Sequence, residues 1–290
     1  MKLISYKKDD EVQIGALRDD GVVPFSQDKD IPKNMLNFLE DGTKSLFKGK
    51  KLFEESDISI KLNDIRILKP INRPPKIIAI GLNYADHLEE IRASGRDMAT
   101  PEVPMIFNKQ SLSANGPFDD IHKPIVSDKL DYEGELTIVI GKKCRHVKKD
   151  NAEEVIAGYT IGNDISVRDW QMRVPTFTIG KSFDTHCPFG PSIVTQEDIK
   201  DPHDLDLMTE VNGEVRQKSN TKHLIFNCYD IIEHLSTAFT LEPGDLILTG
   251  TPSGVGAVND IFLKHGDIVK VSISEIGYIE NKIINELFEG

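Results

Sequence analysis

Cysteine is scarce in this chain. The three present, Cys144, Cys187 and Cys228, are far apart, and none forms a Cys-x-x-Cys pair. That argues against a disulfide framework and against a sulfur-ligated zinc site. Positive charge is also in deficit: 35 Lys and Arg stand against 47 Asp and Glu, a net charge of −12. Nucleic acid and anionic membranes are therefore poor main partners. A small anionic substrate remains open, because a bound cation reverses the local field. No Asn-x-Ser/Thr sequon occurs, and no apolar run approaches membrane-spanning length. The opening Met1-Lys2-Leu3-Ile4-Ser5-Tyr6-Lys7-Lys8 is too polar for a signal peptide, so a soluble cytoplasmic protein is expected.

What is there suits an ordinary buried core. The 290 residues, 39% apolar, suffice for one large domain or for one large and one small. Residues 1–72 read as a small N-terminal α/β domain, with short strands near Gly21 and Pro24 and an amphipathic stretch from Pro32 to about Glu55. Pro70, Pro74 and Pro75 fix φ and lack backbone donors, which suggests a stiff linker. Residues 73–290 are dominated by strand signals. Lys76 to Ile80 and Pro104 to Asn108 read as strands, with a helix from Tyr84 to about Ala93 between them. Asn212-Gly213 is a hairpin turn, because both positions favour positive φ. Residues 227–239 carry helical periodicity. Many strands and few long helices predict a β-rich α+β fold around a mixed roll or barrel.

The densest chemical signal is Glu133-Gly134-Glu135 followed by Asp164. The run Leu130 to Ile140 reads as one strand, so Glu133 and Glu135 share a face. Two carboxylates on one face repel each other unless a cation or proton sits between them. The intervening glycine permits a close approach by a ligand or another backbone. Three carboxylates without sulfur or imidazole suit a hard ion, Mg²⁺ or Mn²⁺. The same residues also fit surface acids on a half-exposed strand. Two other motifs fail: Pro175 stands where a phosphate loop ending in Gly180-Lys181-Ser182 needs glycine, and Thr251 stands where Gly-x-Ser-x-Gly needs one around Ser253.

Taken together, five runs resemble the fumarylacetoacetate hydrolase family over about residues 76–284. They are Gly81-Leu82-Asn83-Tyr84-Ala85-Asp86-His87, Asp131-Tyr132-Glu133-Gly134-Glu135-Leu136, Asn163-Asp164-Ile165-Ser166-Val167-Arg168-Asp169-Trp170-Gln171, Gly180-Lys181-Ser182-Phe183-Asp184-Thr185 and Leu248-Thr249-Gly250-Thr251-Pro252-Ser253-Gly254-Val255-Gly256. The resemblance implies a β-roll catalytic domain, usually a homodimer, binding Mg²⁺, Mn²⁺ or Ca²⁺. It implies Glu133, Glu135 and Asp164 as metal ligands. Ile78-Ala79-Ile80-Gly81 offers no fourth carboxylate where the family's eukaryotic namesake has one, so water is expected there, as in the shorter bacterial branch.

His87 and Glu90 lie three apart on the predicted helix and share a face. By resemblance they form a water-activating pair, on a helix able to close as a lid. Lys181 is implied as the group that stabilises an enolate. Arg168 and Gln171, four and seven residues past Asp164, are placed to turn donors toward substrate. Thr251 and the glycine-rich loop around it suit a substrate carboxylate. The expected activity is metal-dependent hydrolysis of a C–C bond in a 2,4-dioxo acid. Oxaloacetate decarboxylation, keto–enol tautomerisation, hydroxymuconate-type isomerisation or decarboxylation, and a non-catalytic metal-binding scaffold are the alternatives. Substrate choice is expected to lie in Ala93–Val103 and Met172–Ile179.

Overall fold

A computed structural model describes residues 1–18, 21–95 and 97–287. Its largest element is a mixed sheet of twelve strands. The order from one edge is Ile60–Lys61, Gly21–Pro24, Glu11–Arg18, Lys2–Lys8, Cys187–Thr195, Ile156–Asn163, Gly134–Ile140, Leu246–Leu248, Ile77–Gly81 and Met105–Lys109, with Arg66–Leu68 and Ala114–Asn115 as side branches. The strand path runs from edge to edge, so this is an open rolled sheet rather than a closed barrel. A second sheet of five strands covers one face: Glu214–Asn220, Asp206–Val211, Ile268–Ile273, Gly277–Asn285 and Ile121–Lys123. The β-rich α+β architecture expected from the sequence is present. The strand Lys2–Lys8 pairs with Cys187–Thr195 (Leu3 opposite Ile193), so the sheet continues across the Pro70–Pro75 segment.

The strands at the centre are buried on both faces, as the apolar run Leu136-Thr137-Ile138-Val139-Ile140 requires. Ile138 and Ile161 meet Leu207, Val271 and Ile279 of the second sheet, and Ile231 and Leu235 of the helix Cys228–Ala238 close the same core. That helix starts where the sequence provides a capping box: Asn227 accepts from the Asp230 N–H, and the Asp230 carboxylate accepts from the Asn227 N–H. At the hairpin, Asn212 and Gly213 take φ of 54° and 79°, the left-handed region that the dipeptide predicts. No helix of the described residues is long and apolar enough to cross a membrane.

One expectation is corrected. The run from Leu130 to Ile140 is not a single strand. Leu130–Asp131 pairs with Ser166–Val167 in a separate two-stranded piece, and the long strand begins only at Gly134. Tyr132 and Glu133 lie between the two. The reason is that side chains take the backbone donors a neighbouring strand would otherwise use. The Glu133 N–H donates to Asn163 Oδ1 (3.0 Å), and the Gly134 N–H donates to Gln217 Oε1 (3.0 Å).

Gly134 also explains how tightly the sheets meet. A Cβ there would lie 2.3 Å from Thr209 Oγ1 and 2.9 Å from Val271 Cγ1, both on the second sheet. The close approach foreseen at this glycine is thus made by neighbouring side chains. Gly134→Ala is expected to lower stability by about 1–3 kcal/mol through overpacking. Urea unfolding measures it, and an unchanged midpoint and slope would contradict the packing described.

Candidate metal centre and acid–base pair

The strand Gly134–Ile140 runs antiparallel to Ile156–Asn163, with Gly134 opposite Asn163 and Glu135 opposite Gly162. This pairing sets Glu133 and Glu135 beside Asp164, whose N–H donates to the Glu133 carbonyl (2.8 Å). One oxygen from each of Glu133, Glu135 and Asp164 lies within 4.8 Å of the others, and all three residues are buried. The three acids read from the sequence therefore converge, despite the break before Gly134.

Burying so much negative charge demands partners. Lys181 Nζ donates to Glu133 Oε2 (2.8 Å) and Asp164 Oδ2 (2.9 Å). Lys109 Nζ donates to Asp164 Oδ1 (2.5 Å) and to the Ile165 carbonyl (3.1 Å). Arg168 reaches Glu133 Oε1 (2.6 Å) and holds Asp131 through Nε (2.8 Å). Burial alone would raise the Glu133 carboxyl, but the positive charges of Lys181 and Arg168 win and hold it down at about 2. Burial would likewise depress the Lys181 ammonium, but Asp164 and Glu133 raise it above its ordinary value.

Glu135 is different. Among the described residues it has no salt-bridge partner, and its carboxylate accepts the Gly250 N–H (2.6 Å). Burial, then the charges of Asp164 and Glu133, push its carboxyl well above the usual carboxylate range. A buried acid short of positive charge, beside two others, fits a divalent cation. The donor set is oxygen only, as a hard ion prefers.

The helix Ala85–Ala93 carries the predicted pair. His87 Nδ1 and Glu90 Oε2 are 3.0 Å apart, so the carboxylate accepts the Nδ1–H and leaves Nε2 as the basic nitrogen. The helix is docked, not displaced. Asp86 accepts from Ser219 Oγ (2.6 Å), and Glu90 Oε1 accepts the Gly254 N–H (3.0 Å). Asn83, fully buried, anchors its base by donating to the Thr249 carbonyl (2.7 Å) and accepting from the Phe226 N–H (2.8 Å).

The loop from Gly250 to Ala257 gives its donors to the protein's own acids. Gly250 N–H meets Glu135, Gly254 N–H meets Glu90, and Gly256 and Ala257 N–H meet Asp131 at 2.8 and 2.9 Å. The Thr251 hydroxyl is engaged too, donating to the Gly134 carbonyl (3.0 Å) and accepting from Gln217 Nε2 (2.8 Å). Gln171 Oε1 accepts from Arg168 (3.0 Å), at the end of the short helix Arg168–Gln171. Met172, Val174 and Ile179 are exposed beyond it. In the other segment expected to select substrate, Arg96 lies outside the described residues.

Three participants are not among the residues singled out from the sequence. Lys109 occupies an inward position of the strand Met105–Lys109, in phase with buried Phe107. A lysine on the buried phase of an alternating strand was the available signal. Asp131 continues the i, i+2 spacing of Glu133 and Glu135. Gln217 has no comparable signal, since its role depends on the second sheet folding over Gly134.

These features can be set beside known proteins. Residues 76–284 match the fumarylacetoacetate (FAA) hydrolase C-terminal family. A mitochondrial oxaloacetate tautomerase of Rattus norvegicus is 42% identical over 268 residues, 91% of this chain and 84% of that protein. The fold matches 5-carboxymethyl-2-hydroxymuconate delta-isomerase of Mycobacterium smegmatis with a TM-score of 0.79 and 36% identity, covering 99% of this chain and 100% of that one. It also matches a maleylpyruvate hydrolase of Sphingobium, solved with manganese(II) and pyruvate, with a TM-score of 0.80 and 28% identity, again over 99% and 100% of the chains. With most of its length matched in sequence and nearly all of it in fold, the chain belongs to the fumarylacetoacetate hydrolase family.

Proposed function

We propose that this protein interconverts the keto and enol forms of a small 2-oxo dicarboxylic acid of the oxaloacetate type, with a divalent cation. The observation that carries the reading is the docking of a His–Glu pair against the loop that also holds a cation-deficient cluster of three buried acids. Glu133, Glu135 and Asp164 would hold the ion, Mg²⁺ or Mn²⁺, with Ca²⁺ as a further candidate. When bound, such an ion supplies positive charge that favours the enolate of a 2-oxo acid.

The chain's own residues do the rest. His87, kept in one tautomer by Glu90, would take a proton from the carbon next to the 2-oxo group and pass it to the enolate oxygen to give the enol; the reverse transfer, from enol oxygen to carbon, restores the ketone. Lys181 brings a second positive charge for the oxygen that becomes negative. Arg168 and Gln171 supply donors suited to a carboxylate. The choice of oxaloacetate follows the rat relative, which is similar over 91% of this chain. A homodimer, the family's usual assembly, belongs to the same proposal, and light scattering on the purified protein tests it.

A second reading keeps the same site. With a 2,4-dioxo acid, His87 and Glu90 would activate water toward the C4 carbonyl, and the C–C bond would break to leave the enolate of pyruvate. The pair's geometry supports this, as does the fold match to a maleylpyruvate hydrolase. A scaffold without activity would have no use for the pair.

The test is a panel of oxaloacetate, acylpyruvates and fumarylpyruvate, assayed with Mg²⁺ or Mn²⁺ and then with EDTA. Enol–keto conversion of oxaloacetate above the buffer rate, lost in EDTA, is expected. Release of pyruvate from an acylpyruvate without oxaloacetate turnover would favour hydrolysis, and CO₂ release would show decarboxylation. His87→Ala is expected to lower kcat by about 10²–10⁴-fold, whereas unchanged turnover would remove the acid–base role.

Metal uptake should also be pH-dependent. Because burial and its acidic neighbours raise the Glu135 carboxyl in the metal-free protein, the ion must displace a proton. Affinity should therefore rise with pH. Removing the proton without supplying an ion leaves the repulsion unrelieved, so metal-free protein should lose stability as pH climbs through the raised value. Titration calorimetry of Mn²⁺ in two buffers of different ionisation enthalpy reads the proton release directly. Identical heats would show that Glu135 is already ionised.

A further inference from the structure

The acid cluster and the His87–Glu90 pair belong to different elements, yet one residue touches both sides. Gly254 donates its N–H to Glu90 Oε1 (3.0 Å), and its carbonyl accepts the Tyr132 hydroxyl (3.0 Å). Tyr132 immediately precedes Glu133, and its side chain is buried. On its third side, Gly254 presses on the second sheet. A Cβ would lie 2.0 Å from the Arg216 carbonyl, and φ is +97°. No side chain fits there, and the backbone is left-handed. Gln217, next along that strand, donates to the Pro252 carbonyl (2.9 Å) and so fixes the loop two residues earlier.

We infer that Tyr132 is a positioning residue for the His87–Glu90 pair, acting through Gly254. Its hydroxyl fixes the orientation of Gly254, which aims the N–H that holds Glu90 Oε1. Glu90 Oε2 in turn orients the imidazole. The path is Tyr132 Oη–H to Gly254 C=O, Gly254 N–H to Glu90, and Glu90 to His87. It ties the segment carrying Glu133 to the docked helix Ala85–Ala93 through hydrogen bonds, with no charged group of the cluster in the path. Phenylalanine in place of Tyr132 would keep the ring in the core and remove only this link. The kinetic consequence rests on the 2-oxo acid reading above; the structural one does not.

The experiment uses the full chain as Tyr132→Phe, Glu90→Gln and the double variant. Amide hydrogen exchange across Ala85–Ala93 and at Gly254 is followed by mass spectrometry, with Mn²⁺ affinity as a control. Exchange in Tyr132→Phe should be about three- to tenfold faster there, the factor one lost hydrogen bond gives, with Mn²⁺ affinity unchanged. Because both groups act through one path, the double variant should exchange no faster than the faster single variant. If the substrate panel shows activity, kcat of Tyr132→Phe should fall by a similar factor while KM holds. Exchange of Ala85–Ala93 unchanged in Tyr132→Phe, or strictly additive effects in the double variant, would overturn the assignment. If Tyr132→Phe is too unstable to isolate, Glu90→Gln and Glu90→Ala decide it. Glu90→Ala should accelerate exchange at Gly254 as well as along the helix, and exchange at Gly254 unchanged in both variants would show that it is not the joint. A protein inactive on every substrate tested would fail the functional reading, while the exchange data would still decide this one.

Discussion

Everything in the centre of this protein answers to one electrostatic constraint: several carboxylates are buried together and must be compensated. Asp131, Glu133, Glu135 and Asp164 are all nearly inaccessible to solvent. Three cations, Lys109, Arg168 and Lys181, reach three of the acids. Glu135 is left with a backbone N–H, and the resulting imbalance makes the cluster receptive to a metal ion. Without compensation, each buried charge would cost several kcal/mol. Compensation is therefore as much a condition of folding as of function.

The glycine-rich loop after Leu248 distributes that compensation. Backbone donors are fixed dipoles that need no ordering of long side chains, which suits a site built before substrate arrives. One loop serves the cluster through Gly250, the His87–Glu90 pair through Gly254 and the arginine's anchor, Asp131, through Gly256. The glycines are needed where the chain runs against other backbone: at Gly254 there is no room for a side chain, because the second sheet passes directly beneath. The loop thus serves chiefly to join parts of the site that arise far apart in sequence.

Much of this was legible before folding was considered. The His87–Glu90 pair follows from spacing on a short helix, a local rule that holds once the helix exists. Asn212-Gly213 specified its turn for a similarly local reason. Type and spacing single out the three acids that cluster, Glu133, Glu135 and Asp164, although the strand breaks before Glu133. Their convergence survives because the register Gly134–Asn163 and the bonds of Glu133 to Asn163 and Asp164 align them instead. Lys109 carried a faint signal, as a charge on the buried phase of a strand. Gln217 carried none.

By itself, the sequence determined the chemical inventory: the three carboxylates of Glu133, Glu135 and Asp164, a histidine and a glutamate one helical turn apart, a lysine and an arginine nearby, and a β-rich framework to hold them. These follow from residue type and from periods of two and three or four residues, which act over a few ångströms of chain. Only the tertiary structure decided which acid lacks a cation, where the loop's donors go and how the N-terminal strands extend the main sheet. Those outcomes depend on contacts between segments that are not neighbours in sequence, such as Lys181 with Glu133, Glu135 with Gly250 and Glu90 with Gly254. Burial sets their strength, and burial is a property of the assembled fold rather than of any stretch of sequence.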